Sequence, residues 1–170
     1  MKKILVLSDS HRNVERMHWA VDWEQPDLII HLGDCISDAE QLKAAAYTDF
    51  SFECVPGNCD CSMETAVRIL EIEGKRVMIC HGHTFRVKSG LLNLELGARE
   101  RGVDIALFGH THRVFYETHN GVTYLNPGSI GSPGYGVLPS YGILQIDGEQ
   151  NKIAYDIVYI EGNQRKILTN

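Results

Sequence analysis

Aspartate, asparagine and histidine recur in this 170-residue chain at the ends of short apolar runs, a placement that suits metal ligation. Ile4 to Leu7 runs into Ser8-Asp9-Ser10-His11, and Leu28 to Leu32 runs into Gly33-Asp34. Phe52 to Val55 leads through Pro56-Gly57 to Asn58, Val77 to Cys80 leads to His81-Gly82-His83, and Ile105 to Phe108 leads to Gly109-His110-Thr111-His112. Carboxylate and amide oxygens are hard donors and imidazole is borderline, a mixture that suits Mn, Fe, Zn, Co or Ni; carboxylate alone would favour Mg or Ca, and thiolate Zn or clusters. Two aspartates, an asparagine and up to five histidines are too many for one ion that keeps a position open for water. A pair of ions sharing one carboxylate uses them economically. The residues therefore read as a centre of two divalent transition-metal ions.

Such a centre requires the five run ends to meet. Strands of parallel or mixed sheets buried on both faces read as continuous apolar runs, and their ligand sites lie beyond the carboxyl ends of the strands. Glycine precedes Asp34, Asn58 and His110, as expected where backbone turns sharply and comes close to an ion or phosphate. Between the runs, Val14, Met17, His18 and Val21 keep helical spacing and predict a helix to about Glu24, before Pro26. Asp38 to Ala46 reads as a second helix, and a third runs from an N-cap at Ser89 to Gly102. Ala66 to Ile72 and Lys75 to Cys80 pair around Glu73-Gly74. Val114 to His119 and Val122 to Asn126 flank Asn120-Gly121, and Tyr141 to Ile146 with Ile153 to Tyr159 surround Asp147-Gly148, which are hairpin signals. Strand and helix alternation followed by hairpins predicts an α/β fold of two packed mixed sheets with helices outside. Gly131 to Pro139 reads as a surface loop near the site.

Taken in order, Asp9-x-His11, Gly33-Asp34, Gly57-Asn58-x-Asp60, His81-Gly82-His83 and Gly109-His110-Thr111-His112 resemble the signature of the calcineurin-like metallophosphoesterases. Tyr124-Leu125-Asn126-Pro127-Gly128-Ser129 is similar to the small, single-domain phosphodiesterase branch of bacteria and archaea, which also contains the non-catalytic retromer scaffold subunit of eukaryotes. The resemblance implies a four-layer α/β/β/α sandwich. It implies that Asp9, His11 and His112 hold one ion, that Asn58, His81 and His110 hold the other, and that Asp34 bridges them. Mn is the ion expected, with Fe, Zn, Ni, Co or Mg admissible. By the same resemblance the reaction is in-line attack of a two-metal-activated hydroxide on a phosphodiester, with Asp34, Asn58 and His81 as the catalytic set. Asn58 can ligate an ion and donate an amide hydrogen bond to the phosphoryl group, which a carboxylate cannot.

One position departs from that pattern. The family's fourth motif usually places histidine after the asparagine, as the proton donor to the leaving group, whereas this chain has Cys59. A thiol is a poorer donor than imidazole at neutral pH, so diesters and activated aryl esters are expected to react and alkyl monoesters to suffer. Arg12, His83 and Arg86, beside the candidate ligands, are candidate substrate contacts together with Asn58. No insertion is long enough to cap the metals, so the site is expected to be open.

Length and composition bound the rest. At 170 residues and 44% hydrophobic, the chain has enough apolar residues for one core and is short for two, so residues 1–170 are expected to form a single domain. A net charge of -6 without basic clusters argues against standing affinity for nucleic acid and disfavours a nuclease. A protein-binding scaffold of the same fold is the alternative to a phosphodiesterase, and the complete ligand set, His11 included, speaks against it. Five scattered cysteines suit a reducing compartment. No stretch approaches the ~20 apolar residues of a membrane span, and Ile4 to Leu7 is too short for a signal sequence. The expected protein is soluble and cytoplasmic, acts on a small phosphodiester and is compatible with a homo-oligomer.

Overall fold

The computed structural model of the chain describes residues 1–45 and 50–168. In chain order the elements are β1 (Lys2–Leu7), α1 (Val14–Glu24), β2 (Leu28–His31), α2 (Ile36–Ala45), β3 (Ser51–Cys54), β4 (Val67–Ile72), β5 (Lys75–Cys80), α3 (Leu92–Glu100), β6 (Ile105–Leu107), β7 (Val114–His119), β8 (Val122–Pro127), β9 (Ser140–Asp147), β10 (Lys152–Glu161) and β11 (Gln164–Leu168). They form a six-stranded sheet ordered β11-β10-β9-β1-β2-β3 and a five-stranded sheet ordered β4-β5-β6-β8-β7. Both sheets are mixed: β1, β2 and β3 run parallel, as do β5, β6 and β8, and the remaining strands pair antiparallel.

Period-two alternation explains why Ile4 to Leu7 and Val77 to Cys80 are apolar at every position. In β1, Ile4 and Val6 face the other sheet, while Leu5 and Leu7 face Met17 and Ala20 of α1. In β5, Val77 and Ile79 join the inter-sheet core, while Met78 and Cys80 pack on Leu94 and Ala98 of α3. Every residue of these two apolar runs is then worth burying, at roughly 1.5–3 kcal/mol for a fully buried aliphatic side chain. The layers follow as α1 and α2, first sheet, second sheet, α3, the four-layer sandwich expected from the sequence.

The hairpins follow their turn chemistry. Glu73-Gly74 and Asn120-Gly121 both have positive φ at each residue (50° and 76°; 51° and 78°), the left-handed pair that two-residue hairpins need. Asp147-Gly148 instead begins a four-residue loop, since Asp147 pairs with Lys152, Asp147 Oδ1 accepts the Gln150 amide at 3.0 Å, and the left-handed residue is Asn151. Two other expectations need correction. The third helix starts at Leu92, because Ser89 closes a short 3-10 turn and provides no cap. The second starts at Ile36 and buries Asp38; Ala46 lies outside the described residues. The edge strand β11, with few apolar residues and little burial, left no sequence signal.

Candidate metal centre

Three parallel strands of one sheet and two of the other deliver the site. Leu7 is level with His31 and His31 with Cys54, so the segments after β1, β2 and β3 emerge together. Ile79 is level with Leu107, which does the same for His81 and His110. The sheets are joined at this end: the His110 amide donates to Asp9 Oδ2 at 3.1 Å, and His81 Nδ1 lies 2.9 Å from the Leu32 carbonyl oxygen.

The backbone here is strained. Asp9, His11, Asp34, His110 and His112 all have φ between 41° and 68°, the left-handed region that non-glycine residues avoid at a cost of about 1–3 kcal/mol each. Tip-to-tip hydrogen bonds hold it. The Asp9 amide donates to the Gly33 carbonyl at 3.0 Å, and the Asp60 carboxylate accepts from the amides of Asp34 (3.0 Å), Cys35 (2.9 Å), Ile36 (2.8 Å) and Gly57 (2.9 Å). The glycines permit this mutual approach: a Cβ at Gly33 would meet the backbone of Gly57, and one at Gly57 would overlap Asp34.

The candidate ligands fall into two groups that share one residue. Asp9, His11, Asp34 and His112 each offer an atom within 4.8 Å of the others, and so do Asp34, His81 and His110. Asp9 and His81 are fully buried and Asp34 is 2% exposed. His112 Nε2 lies 3.0 Å from Asp9 Oδ1, and His11 Nε2 lies 3.8 Å from Asp34 Oδ2. On the other side, His81 Nε2 lies 3.1 Å from His110 Nδ1, 3.2 Å from Asn58 Oδ1 and 3.4 Å from Asp34 Oδ1. The structure thus brings Asn58 to the second group, although Asn58 is itself exposed.

The chemistry of this donor set fits cations. His81 Nδ1 donates to the Leu32 carbonyl and His112 Nδ1 to that of Ser132, so in the neutral rings Nε2 carries a lone pair. Those lone pairs face oxygens that are also acceptors, and both Asp9 Oδ1 and His11 Nε2 are buried without a hydrogen-bond partner. A cluster of inward-facing lone pairs needs positive charge between them. The electrostatics agree. Burial opposes the Asp9 carboxylate, but His112, His81 and Ser8 outweigh it and hold the carboxyl below its ordinary range. Desolvation, then His81 and Lys88, bring His110 down to about 4, so its ring is neutral and free to ligate. The Asp9 contact draws His112 the other way.

The proposed substrate contacts divide. Arg12 is exposed and lines a cavity with Cys35, Cys59 and Asp60. His83 is half-buried, with its ring centroid 5.4 Å from that of His81, and burial lowers its pKa. Arg86 is exposed and does not line that cavity or the one containing Lys88. The Cys59 amide donates to Asp34 Oδ1 at 2.9 Å, and its thiol, exposed beside Asn58, is raised by desolvation and by Asp34.

Sequence reading missed the residues that hold the ligands. Asp60 and Asn126 lie inside recognisable motifs, but their residue types and spacing carry no sign of the backbone groups they hold. Asn126 Nδ2 donates to the Gly109 carbonyl at 2.9 Å and to Thr111 Oγ1 at 3.1 Å, while Ser129 Oγ donates to the Asp9 carbonyl at 2.8 Å. Because β8 runs parallel to β6, its end necessarily reaches this site. Asp38, buried in α2, accepts from Ser10 Oγ and the Arg12 amide, each at 2.7 Å. His31, whose pKa burial lowers to about 4, lies 3.1 Å from Ser10 Oγ. A histidine inside an apolar run was the only signal for that network.

Comparison with known proteins gives concordant results. The family model described as the calcineurin-like phosphoesterase superfamily domain matches residues 1–149. The probable metallophosphoesterase YsnB of Bacillus subtilis is 31% identical over 155 residues, covering 89% of each chain. Phosphodiesterase MJ0936 of Methanocaldococcus jannaschii is 25% identical over 171 residues, covering 87% of this chain and 95% of its own. Among solved structures, Vps29 of Entamoeba histolytica complexed with Zn2+ shares the fold with a TM-score of 0.78 at 19% identity, covering 98% of this chain and 97% of that one.

Proposed function

The chain belongs to the calcineurin-like phosphoesterase superfamily, and on that footing we propose that it is a metal-dependent phosphodiesterase with a binuclear centre, most active with Mn. The observation that carries this reading is that two groups of candidate ligands share the Asp34 carboxylate. One ion would be held by Asp9, His11 and His112, the other by Asn58, His81 and His110, with Asp34 common to both. When bound, such a pair of ions neutralises phosphate oxygens and makes hydroxide available near neutral pH.

The chain's own residues set the rest of the chemistry. His81 is fixed in orientation and tautomer by the Leu32 carbonyl, and His112 by that of Ser132. Asn58, with Oδ1 toward His81 and one amide N–H on Cys59 Sγ at 3.4 Å, has a second amide N–H to hydrogen-bond a phosphoryl oxygen. Hydrolysis adds water oxygen to phosphorus and breaks the bond to one ester oxygen, which takes the bonding pair and, unless it is stable as an anion, needs a proton as it leaves. Cys59 occupies the position next to Asn58 from which a proton would come, and its raised pKa makes it a reluctant donor at neutral pH. Ester oxygens that leave as stable anions avoid this difficulty, which favours activated diesters over alkyl monoesters.

The phosphodiesterase name of the Methanocaldococcus jannaschii relative supports the same substrate class. The likeness to Vps29 is one of fold at low identity, and the complete ligand set favours an enzyme over a scaffold. We read residues 1–170 as one phosphoesterase domain working in the cytoplasm, consistent with the free thiols of Cys35, Cys54, Cys59, Cys61 and Cys80. Among the described residues no helix is long and apolar enough to cross a membrane.

The test is turnover of bis(p-nitrophenyl) phosphate and of p-nitrophenyl phosphate by purified protein, stripped with chelator and resupplied with Mn. The expected result is diester hydrolysis that stops on chelation, returns with Mn and exceeds monoester hydrolysis. Bound Mn without turnover of either ester would favour a scaffold.

A further inference from the structure

Two cavities adjoin the ligand cluster, and they differ in charge. One, of about 410 Å³, is lined by Arg12 together with Glu40, Glu64, Asp60 and the thiols of Cys59 and Cys61. The other, of about 370 Å³, is lined by Val87, Lys88, Thr111 and Arg113. The walls of the second cavity come from residues next to the candidate ligands. Thr111 lies between His110 and His112, and its Oγ1 accepts hydrogen bonds from the Arg113 amide at 3.3 Å and from Asn126 at 3.1 Å. Val87 packs where a Cβ on Gly82 would fall, between His81 and His83, and its amide donates to the Gly82 carbonyl at 3.3 Å.

Lys88 and Arg113 are both exposed. Neither makes an ion pair with a carboxylate among the described residues, and of the cations that make none these two line the same cavity. In a chain of net charge -6, two cations lining one cavity beside the cluster make a local positive site. We propose that the Lys88–Arg113 cavity is an anion subsite that receives a second phosphate carried on one ester arm, so that the preferred substrates are phosphodiesters bearing an additional phosphomonoester. A phosphomonoester carries close to two negative charges at neutral pH, matching one ammonium and one guanidinium, and the guanidinium can bind two of its oxygens at once. A plain aryl or nucleoside arm offers these cations no charge to neutralise. The other cavity, with three carboxylates against one arginine, is less favourable to a phosphate, which directs the charged arm to the Lys88–Arg113 side.

This inference rests on the diesterase reading, and the experiment separates the two. Hydrolysis of thymidine 5′-(p-nitrophenyl phosphate) is compared with that of the same ester carrying a 3′-phosphate, using Mn-loaded protein. Calorimetric binding of the products, thymidine 5′-monophosphate and thymidine 3′,5′-bisphosphate, provides a readout independent of turnover. The 3′-phosphate is expected to raise kcat/KM about tenfold, mainly through KM, and to tighten product binding similarly. Lys88→Glu and Arg113→Ala should each remove most of that preference. Equal rates and equal binding in the wild type, or a preference that survives both substitutions, would overturn the subsite. If neither ester is cleaved, the diesterase reading fails, and the binding comparison alone decides: tighter bisphosphate binding lost in both variants upholds the subsite, and equal binding refutes it.

Discussion

Asp60 Oδ2 accepts the backbone N–H of Asp34 at 3.0 Å, so the residue common to both ligand groups is held in its left-handed conformation from a neighbouring strand tip. The same carboxylate takes the amides of Cys35, Ile36 and Gly57. Asp60→Ala would leave four N–H groups to find water in a partly buried loop. The expected outcome is a loss of about 2 kcal/mol of stability in urea titrations and a roughly 10- to 100-fold loss of diester turnover or Mn affinity.

Asp34→Asn should separate folding from function. The amide oxygen can still accept the Cys59 N–H, now at 2.9 Å, so thermal stability of the metal-free protein should change little. An amide cannot bridge two cations as a carboxylate does, so kcat/KM on a diester should fall at least about 10²-fold in Mn buffer. Wild-type turnover in this variant would rule out a bridging role.

Cys59→His places imidazole where the thiol now resists ionisation. Turnover of an alkyl phosphomonoester should then rise more than that of a diester, by up to about 10²-fold. Rates of both substrates in wild type and variant, compared across the neutral pH range, measure the change in ratio. An unchanged ratio would mean that position 59 does not reach the leaving oxygen.

Glu24 carries a pH signature far from the site. It is buried at the end of α1, where it meets Lys3 at 2.9 Å, Arg165 at 2.7 Å and the Tyr141 hydroxyl at 2.9 Å. Burial opposes the carboxylate, but these three partners outweigh it and hold its pKa below the ordinary value. A depressed folded-state pKa contributes stability above the unfolded value, near ~4.3, that is lost as pH falls through the folded value. Glu24→Gln should therefore cost about 1–2 kcal/mol at pH 7, measured by denaturant unfolding, and the gap from wild type should close in acid.

How much of this was legible in the sequence depended on whether the signal was local. Ile4 to Leu7 and Val77 to Cys80 are buried on both faces, so their apolar runs announced both the strands and the ligands after them. Asn120-Gly121 announced its turn through residues that tolerate positive φ. Asp60, Asn126 and Ser129 act on backbone groups of distant segments, and residue type says nothing about which amide a carboxylate will meet. The left-handed backbone of Asp9, His11, Asp34, His110 and His112 was nearly as silent, because aspartate and histidine tolerate that region better than most residues but do not specify where contacts from outside enforce it. The Lys88–Arg113 cavity joins residues from two separate loops and appears only once the chain is folded.

The central claim is that Asp34 serves two ion sites at once, and a crystal structure of the protein saturated with Mn tests it most directly. Anomalous scattering should show two ions about 3.5 to 4 Å apart, as in two-metal hydrolases, with the Asp34 carboxylate between them, Asp9, His11 and His112 on one and Asn58, His81 and His110 on the other. A single ion held by one group alone, or two ions with Asp34 turned away from either, would contradict it.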